Sequence, residues 1–205
     1  MQAFDGLNDK NNTIPLTTAA VTLAPYVPYV DFAHGGSAYI WPMLERDSCP
    51  DGFIQVGQAE HWTNTNVSFY EVNNCYDGSP NQVQYPTAGV NLTHRYVADM
   101  APSGGNFTLA IDVTTVYSGA VDFSYATGAQ WDGETDAKDD QMFGGVSAKQ
   151  TFTDPAECFY AGTYFCGNPI IDHFGSLGTD PAGISYFASS ASYSDFTVND
   201  TACAT

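Results

Sequence analysis

The residues best suited to chemistry form an acidic run, "WDGETDAKDDQMFGG", at residues 131–145. Its carboxylates are Asp132, Glu134, Asp136, Asp139 and Asp140. Calcium prefers several hard oxygen ligands, and carboxylates at alternate positions of a loop can surround one ion. The run differs from an EF-hand, because a glycine follows its first Asp and no Glu stands at the twelfth position. It therefore predicts a calcium-binding loop, and the alternative is a solvated turn between two strands.

The segment around this run contains "SGAVDFSYAT", then the pair Asp139-Asp140, then Gly144-Gly145. Over this segment alone, the sequence resembles the calcium-dependent lectin domains of yeast-type adhesins. In those domains an Asp-Asp pair holds the ion that binds sugar, so the resemblance implies that role for Asp139 and Asp140. The rest of the chain adds no further feature of these domains.

Two other groups of polar residues are candidates for a binding or catalytic role. Glu60, His61 and Trp62 in "AEHWTNTN" suggest a sugar-stacking aromatic beside an acid/base pair, and the alternative is an ordinary strand end. His34 and His173 have no HxH or HExxH spacing, and they read more simply as separate loop histidines. No nucleophile elbow or nucleotide-binding glycine motif occurs. The sequence identifies no reaction, and a protein that is not an enzyme is favoured.

Five cysteines, at positions 49, 75, 158, 166 and 203, contain no CxxC pair. Their spacing fits no zinc site, so disulfides are predicted. The most local pairing joins Cys49 to Cys75 and Cys158 to Cys166, although other pairings remain open. That pairing leaves Cys203 either free or linked to another chain.

N-glycosylation sequons are frequent, which favours a glycoprotein outside the cell: an extracellular, cell-surface or virion protein. The first ten residues lack the apolar segment of a signal peptide, as expected of a virion protein or of a chain whose leader has been removed. The sequons begin at Asn11, Asn66, Asn91, Asn106 and Asn199.

The net negative charge of the chain argues against nucleic acid and anionic lipid as partners. The chain has 5 Lys and Arg against 23 Asp and Glu, a formal net charge of -18. Such a surface repels nucleic acid and anionic lipid, because phosphate binding needs clustered cations. No apolar run is long enough to span a membrane. We therefore expect no nucleic-acid partner and no membrane insertion, and the Asp-rich composition would also suit a halophilic protein.

Strand patterns dominate the sequence, and helical periodicity is nearly absent. In "NFTLAIDVTTVY" and "AVDFSYA", apolar residues alternate with polar ones, and Ser118-Gly119 between them predicts a hairpin turn. Many short strands separated by Gly, Pro, Asn and Asp predict an all-β fold. The expected architecture is a single-domain antiparallel β-sandwich, jelly-roll-like, with long loops and disulfides. Residues 1–15 are expected to form a polar arm, and residues 16–205 the sandwich.

These features favour a non-enzymatic exterior subunit, such as a virion coat or decoration protein, a filament subunit or an adhesin. Its partners would be copies of itself or other surface proteins, joined through edge strands. The alternative is a secreted carbohydrate-binding or polysaccharide-active protein with a calcium-stabilised loop. Its support is the aromatic content of 14% and the acidic run.

Overall fold

The computed structural model of the chain is all-β in the part that it describes. The described residues are 3–9, 12–24, 36–49, 52–61, 63, 65–75, 80–86, 92–135, 150–167, 172–177, 187–188 and 195–198. The strands are β1 (Ala3–Asp9), β2 (Leu16–Leu23), β3 (Ser37–Glu45), β4 (Phe53–His61), β5 (Thr65–Asn73), β6 (Asn81–Pro86), β7 (His94–Met100), β8 (Asn106–Ile111), β9 (Thr114–Ala120), β10 (Gly128–Thr135), β11 (Gln150–Tyr160), β12 (Tyr164–Gly167), β13 (Asp172–Leu177), β14 (Phe187–Ala188) and β15 (Asp195–Val198).

The strands form two antiparallel sheets. The first sheet has the order β13-β1-β10-β3-β4-β5-β6, and the second has the order β14-β15-β11-β2-β7-β8-β9, with β12 paired to β11. Neighbours in each sheet are often distant in sequence, as in a sandwich whose chain crosses between layers. The predicted antiparallel β-sandwich is confirmed.

The core lies between the two sheets. Burial alternates along β7 and β8, and the largest fully buried side chains of the described residues are Trp131, Tyr96, Phe69 and Phe152. All of these except Phe69 lie in the main core cluster between the sheets. Trp131 on β10 also donates a hydrogen bond from Nε1 to the Ala20 carbonyl on β2, at 2.9 Å. The buried indole thereby connects the first sheet to the second.

Both predicted disulfides are present. Cys49 is bonded to Cys75 and Cys158 to Cys166, with Cα–Cα distances of 5.2 Å and 4.1 Å. Cys203 lies outside the described residues. Structural disulfides persist in oxidising compartments, so the protein is extracellular. Within the described part of the chain, no helix is long and apolar enough to cross a membrane.

The hairpin of β8 and β9 turns at a different place from the one predicted. β8 ends at Ile111 and β9 begins at Thr114, so Ser118 and Gly119 lie inside a strand. Asp112 adopts a positive φ of 56°, a conformation that Asp tolerates well in turns, and its carboxylate accepts a hydrogen bond from the Arg95 amide at 2.9 Å. The turn was missed because Asp112 fits the polar face of an uninterrupted alternation.

Two further expectations need correction. "AVDFSYA" is not a strand beyond Ala120; Val121 and Phe123 alternate because they pack into the core from an irregular segment. Residues Ala3–Asp9 are not a loose arm, since β1 pairs with β10 on one side and β13 on the other. Strand pairing satisfies the backbone of this polar segment without requiring an apolar sequence.

Candidate active site

The acidic run starts as a strand and not as a loop. Trp131 faces the core, and Asp132 and Glu134 lie on β10 facing away from it. Asp132 is fully buried. Asp136, Asp139 and Asp140 lie outside the described residues. Among the described residues, no three His, Cys, Asp or Glu side chains are grouped closely enough to hold a metal, and calcium binding by the run stays a prediction.

The face of the first sheet that points away from the core carries a row of polar side chains. The register places Glu71 of β5 opposite Gln55 of β4, Gln55 opposite Met43 of β3, and Met43 opposite Gln130 of β10. Residues directly opposite each other in antiparallel strands point to the same face. Gln82 of β6 extends the row at the sheet edge. We call Gln82, Glu71, Gln55 and Gln130 the polar row; the apolar Met43 lies between Gln55 and Gln130.

Among the described residues of this face, two glutamine–glutamate pairs lie on either side of Met43. Gln55 Nε2 donates to Glu71 Oε2 at 2.8 Å, and Gln82 Nε2 lies 3.4 Å from the same oxygen. On the other side, Gln130 Nε2 donates to Glu45 Oε1 at 2.7 Å. Gln55 and Gln130 are only 6% and 8% exposed. Buried amides held by carboxylates have fixed orientations, as catalytic groups require.

Burial changes the acidity of Glu71. Desolvation raises the pKa of its carboxyl above the usual 4.5, and the hydrogen bonds from Gln55 and Gln82 partly offset the rise. A carboxyl with a raised pKa accepts and releases protons more readily near mildly acidic pH. Among the residues of the polar row, Glu71 is therefore the natural acid/base group.

An apolar cluster lies beside the polar row on the same face. Its buried members are Trp41, Met43, Ala59, Val67 and Phe69. Outer faces of antiparallel sandwiches usually alternate to polar, solvated residues. Here the polar row stands on a face where large side chains are shielded from water, which strengthens electrostatic interactions within it.

Sequence reasoning missed Gln55, Glu71, Gln130 and Glu45. A usable signal was present in β4, where Gln55 stands between Phe53 and Gly57 on the same face of the strand. Single amides of this kind are easily taken for solvent-facing residues when the burial of both faces is unknown. The register that aligns them across four strands cannot be read from local pattern.

Of the other sequence candidates, Glu60 and His61 lie on opposite faces of β4. Glu60 points toward the second sheet, where it is 3% exposed, and burial raises its pKa despite a hydrogen bond with Asn66. His61 is on the opposite face, with its Nδ1 2.8 Å from Ser37 Oγ. Trp62 and His34 lie outside the described residues, and His173 is on the strand β13.

Of the two sequons in the described residues, Asn106 is expected to carry a glycan and Asn66 is not. Asn106 is exposed at the start of β8, whereas the Asn66 amide nitrogen is buried and its Oδ1 accepts a hydrogen bond from Gln58. Mass spectrometry of glycopeptides from a eukaryotic secretory host checks both sites. A glycan on Asn66 would contradict this arrangement of β5. Asn11, Asn91 and Asn199 lie outside the described residues.

Comparison with known proteins adds information on the fold. No protein-family model matches the sequence, and no curated protein does. The chain is similar in structure to scytalido-glutamic peptidase bound to a peptide-based transition-state analogue, with a TM-score of 0.67 and 13% identity over 97% of this chain and 98% of that one. It is also similar to SCP-B, a member of the eqolisin family of peptidases, in complex with the tripeptide Ala-Ile-His, with a TM-score of 0.65, 13% identity and the same coverage.

A more distant likeness links the chain to a glycoside hydrolase family 16 endo-glucanase from Bacteroides ovatus. Its TM-score is 0.37, with 10% identity over 65% of each chain, which is too low to support a conclusion. The peptidase likeness covers nearly the whole chain and shows a shared fold. It contradicts our expectation of a non-enzymatic coat, decoration, filament or adhesin subunit, because the whole-length neighbours are enzymes.

Proposed function

We propose that this chain is a secreted hydrolase that cleaves peptide bonds on the outer face of the first sheet. The observation that carries the proposal is the Gln55–Glu71 pair, joined at 2.8 Å within the polar row. The whole-length similarity to structures described as a glutamic peptidase and an eqolisin supports a peptide as substrate. An extended peptide also suits a sheet face with a shielded apolar cluster beside its polar groups.

The chemistry follows from the two side chains. Ionised Glu71 accepts a proton from a water molecule, and that water attacks the scissile carbonyl carbon. The Gln55 amide has a second N–H besides the one given to Glu71, and this N–H donates to the oxygen that becomes negative. The proton held by Glu71 then passes to the leaving amine as the C–N bond breaks. No serine or cysteine nucleophile is required.

Replacing Glu71 with glutamine is expected to lower kcat for peptide cleavage by about 10²–10⁴-fold, the usual contribution of a general acid/base. The substitution keeps the size of the side chain and removes its ability to take a proton. The measurement is cleavage of a fluorogenic peptide library, with kcat and KM determined for the best substrate. Because Glu71 must be ionised and burial raises its pKa, kcat should increase with pH through a value above 4.5.

The matched control is Glu45→Gln, which changes a second glutamate on the same face that is bonded to Gln130. Its kcat should stay within about threefold of wild type, since Glu45 is assigned no proton transfer. The proposal fails if Glu71→Gln cleaves as fast as wild type, or if the intact protein cleaves no peptide between about pH 3 and pH 7.

A further inference from the structure

We propose a second binding site, for a neutral sugar, on the outer face of the second sheet. A groove of about 430 Å³ lies there, where β2, β7 and β8 meet the β11–β12 hairpin. Its polar lining consists of Thr17, Thr18, Asp99, Asn106, Thr108 and Tyr164. None of these residues belongs to the polar row, which is on the other sheet.

The floor of the groove is a cross-strand row of short polar side chains. Thr18 of β2 lies opposite Asp99 of β7, and Asp99 lies opposite Thr108 of β8. Thr18 Oγ1 donates to Asp99 Oδ1 at 2.7 Å, which fixes the carboxylate. Within the described residues, Asp99 Oδ2 has no hydrogen-bond donor. A fixed carboxylate with an available oxygen accepts hydrogen bonds from ligand hydroxyl groups.

The wall of the groove is an exposed aromatic ring on a braced hairpin. Tyr164 is 62% exposed, and its ring centroid lies 5.0 Å from that of Tyr160 on the paired strand. The Cys158–Cys166 disulfide ties β12 to β11, and Gly162 makes the turn between them with a φ of +85°. An exposed aromatic ring held in place offers a flat apolar surface for a ligand at a small entropic cost.

This lining fits one class of ligand. A sugar ring has an apolar face of C–H groups, which can cover an aromatic side chain, and a rim of hydroxyls, which can bond to carboxylate, amide and hydroxyl groups. An anion is disfavoured by Asp99, by the net charge of -18 and by the absence of Lys and Arg from the lining residues. A largely apolar ligand would cover these polar groups and leave them without hydrogen-bond partners. The site therefore takes a neutral, hydroxyl-rich ring.

Two sources can supply such a ring, an external polysaccharide or a glycan attached to Asn106 at the groove itself. The first test uses protein made in a bacterial host, which leaves Asn106 unmodified, and titrates it with neutral gluco-, manno- and xylo-oligosaccharides by calorimetry. We expect saturable binding, with affinity reduced about tenfold or more in Tyr164→Ala. Phe165→Ala is the matched control, because Phe165 is 59% exposed on the same hairpin but does not line the groove.

The second test compares chemical nitration of Tyr164 in bacterial protein and in protein carrying a glycan on Asn106. Saturable binding to the bacterial protein assigns an external sugar, and protection of Tyr164 by the attached glycan assigns the chain's own. The proposal is overturned if neither occurs, or if Phe165→Ala weakens binding as much as Tyr164→Ala. Thermal melting of each variant confirms that it is folded. Peptide cleavage is not part of either readout, so the outcome is independent of the proposed peptidase activity.

Discussion

Replacing Gly57 with alanine is expected to lower the free energy of unfolding by about 3 kcal/mol or more. Gly57 lies in the middle of β4, and a Cβ added there would collide with the Ile40 carbonyl and approach the Trp41 Cα, both in the backbone of β3. Backbone atoms of a central strand cannot rotate aside as a side chain can. The strands must therefore separate locally, and thermal unfolding followed by circular dichroism should show a melting point about 10 °C lower.

Gly167→Ala is the control for that substitution. Gly167 also lies in a strand, but an added Cβ there meets nothing within 4 Å. Its melting point should stay within about 2 °C of wild type. If Gly57→Ala and Gly167→Ala have the same melting point, β3 and β4 do not approach each other as closely as the structure shows. Gln55 lies two residues from Gly57 on β4, so a local displacement of β4 should also reduce peptide cleavage by the Gly57→Ala protein.

The second large effect is a gain of stability in acid. Burial raises the pKa of Glu60, Glu71 and Asp99 above their usual values, although hydrogen bonds from Asn66, Gln55 and Thr18 oppose the rise. A raised carboxyl pKa means that the folded state binds protons more tightly than the unfolded chain. The stabilisation that these carboxyls give to the folded state is complete at a pH below their pKa in the unfolded chain. It is lost as the pH rises through their pKa in the folded state. The melting point should thus rise by a few °C between pH 7 and about pH 4.5.

Among the described residues, Asp112 acts in the opposite direction. The pKa of Asp112 is lowered: partial burial alone would raise it, but hydrogen bonds from the Arg95 amide and His94, together with the charge of His94, outweigh that effect. Its stabilising contribution is lost as pH falls through the lowered value, below the range in which the three raised groups act. Reduced self-repulsion of a chain with net charge -18 adds to the acid stabilisation.

Glu60→Gln tests the acid effect directly, because it keeps the shape of a buried side chain and removes its titration. The variant should show a smaller difference in melting point between pH 7 and about pH 4.5 than wild type does. Glu134→Gln is the comparison, since Glu134 is only half-buried at the outer face of β10. A wild-type melting point that falls steadily from neutral to mildly acidic pH would contradict the assignment of raised pKa values.

Much of the fold is readable from local pattern, and the exceptions have physical causes. β2, β3, β4, β5 and β7 coincide with segments of alternating or continuous apolar residues, because the core selects for them. The turn at Asp112 and the irregular segment at Phe123 were misassigned, because alternation of polar and apolar residues indicates which side chains are buried and not which backbone groups are hydrogen-bonded. β1 was missed because strand pairing, and not apolar composition, holds it in the sheet.

The candidate site is less readable than the fold. Gln55, Glu71 and Gln130 are separated by 16 to 75 positions in the sequence and are aligned only through the order β5-β4-β3-β10. Amides and carboxylates are common on solvated strand faces, so these residue types alone do not indicate a functional site. The acidic run drew attention because its residues are adjacent, yet Trp131 in its first position belongs to the core.

The placement of the disulfides has a mechanical consequence. Cys49 and Cys75 follow β3 and β5 of the first sheet, and Cys158 and Cys166 lie on β11 and β12 of the second. Each described bridge therefore closes a loop within one layer. Under shear or in denaturant, we expect the two sheets to separate from each other with both bridges still oxidised. Water that enters between the sheets would break the hydrogen bond from Trp131 to the Ala20 carbonyl and expose the indole. Tryptophan fluorescence should therefore change before circular dichroism shows loss of the strands.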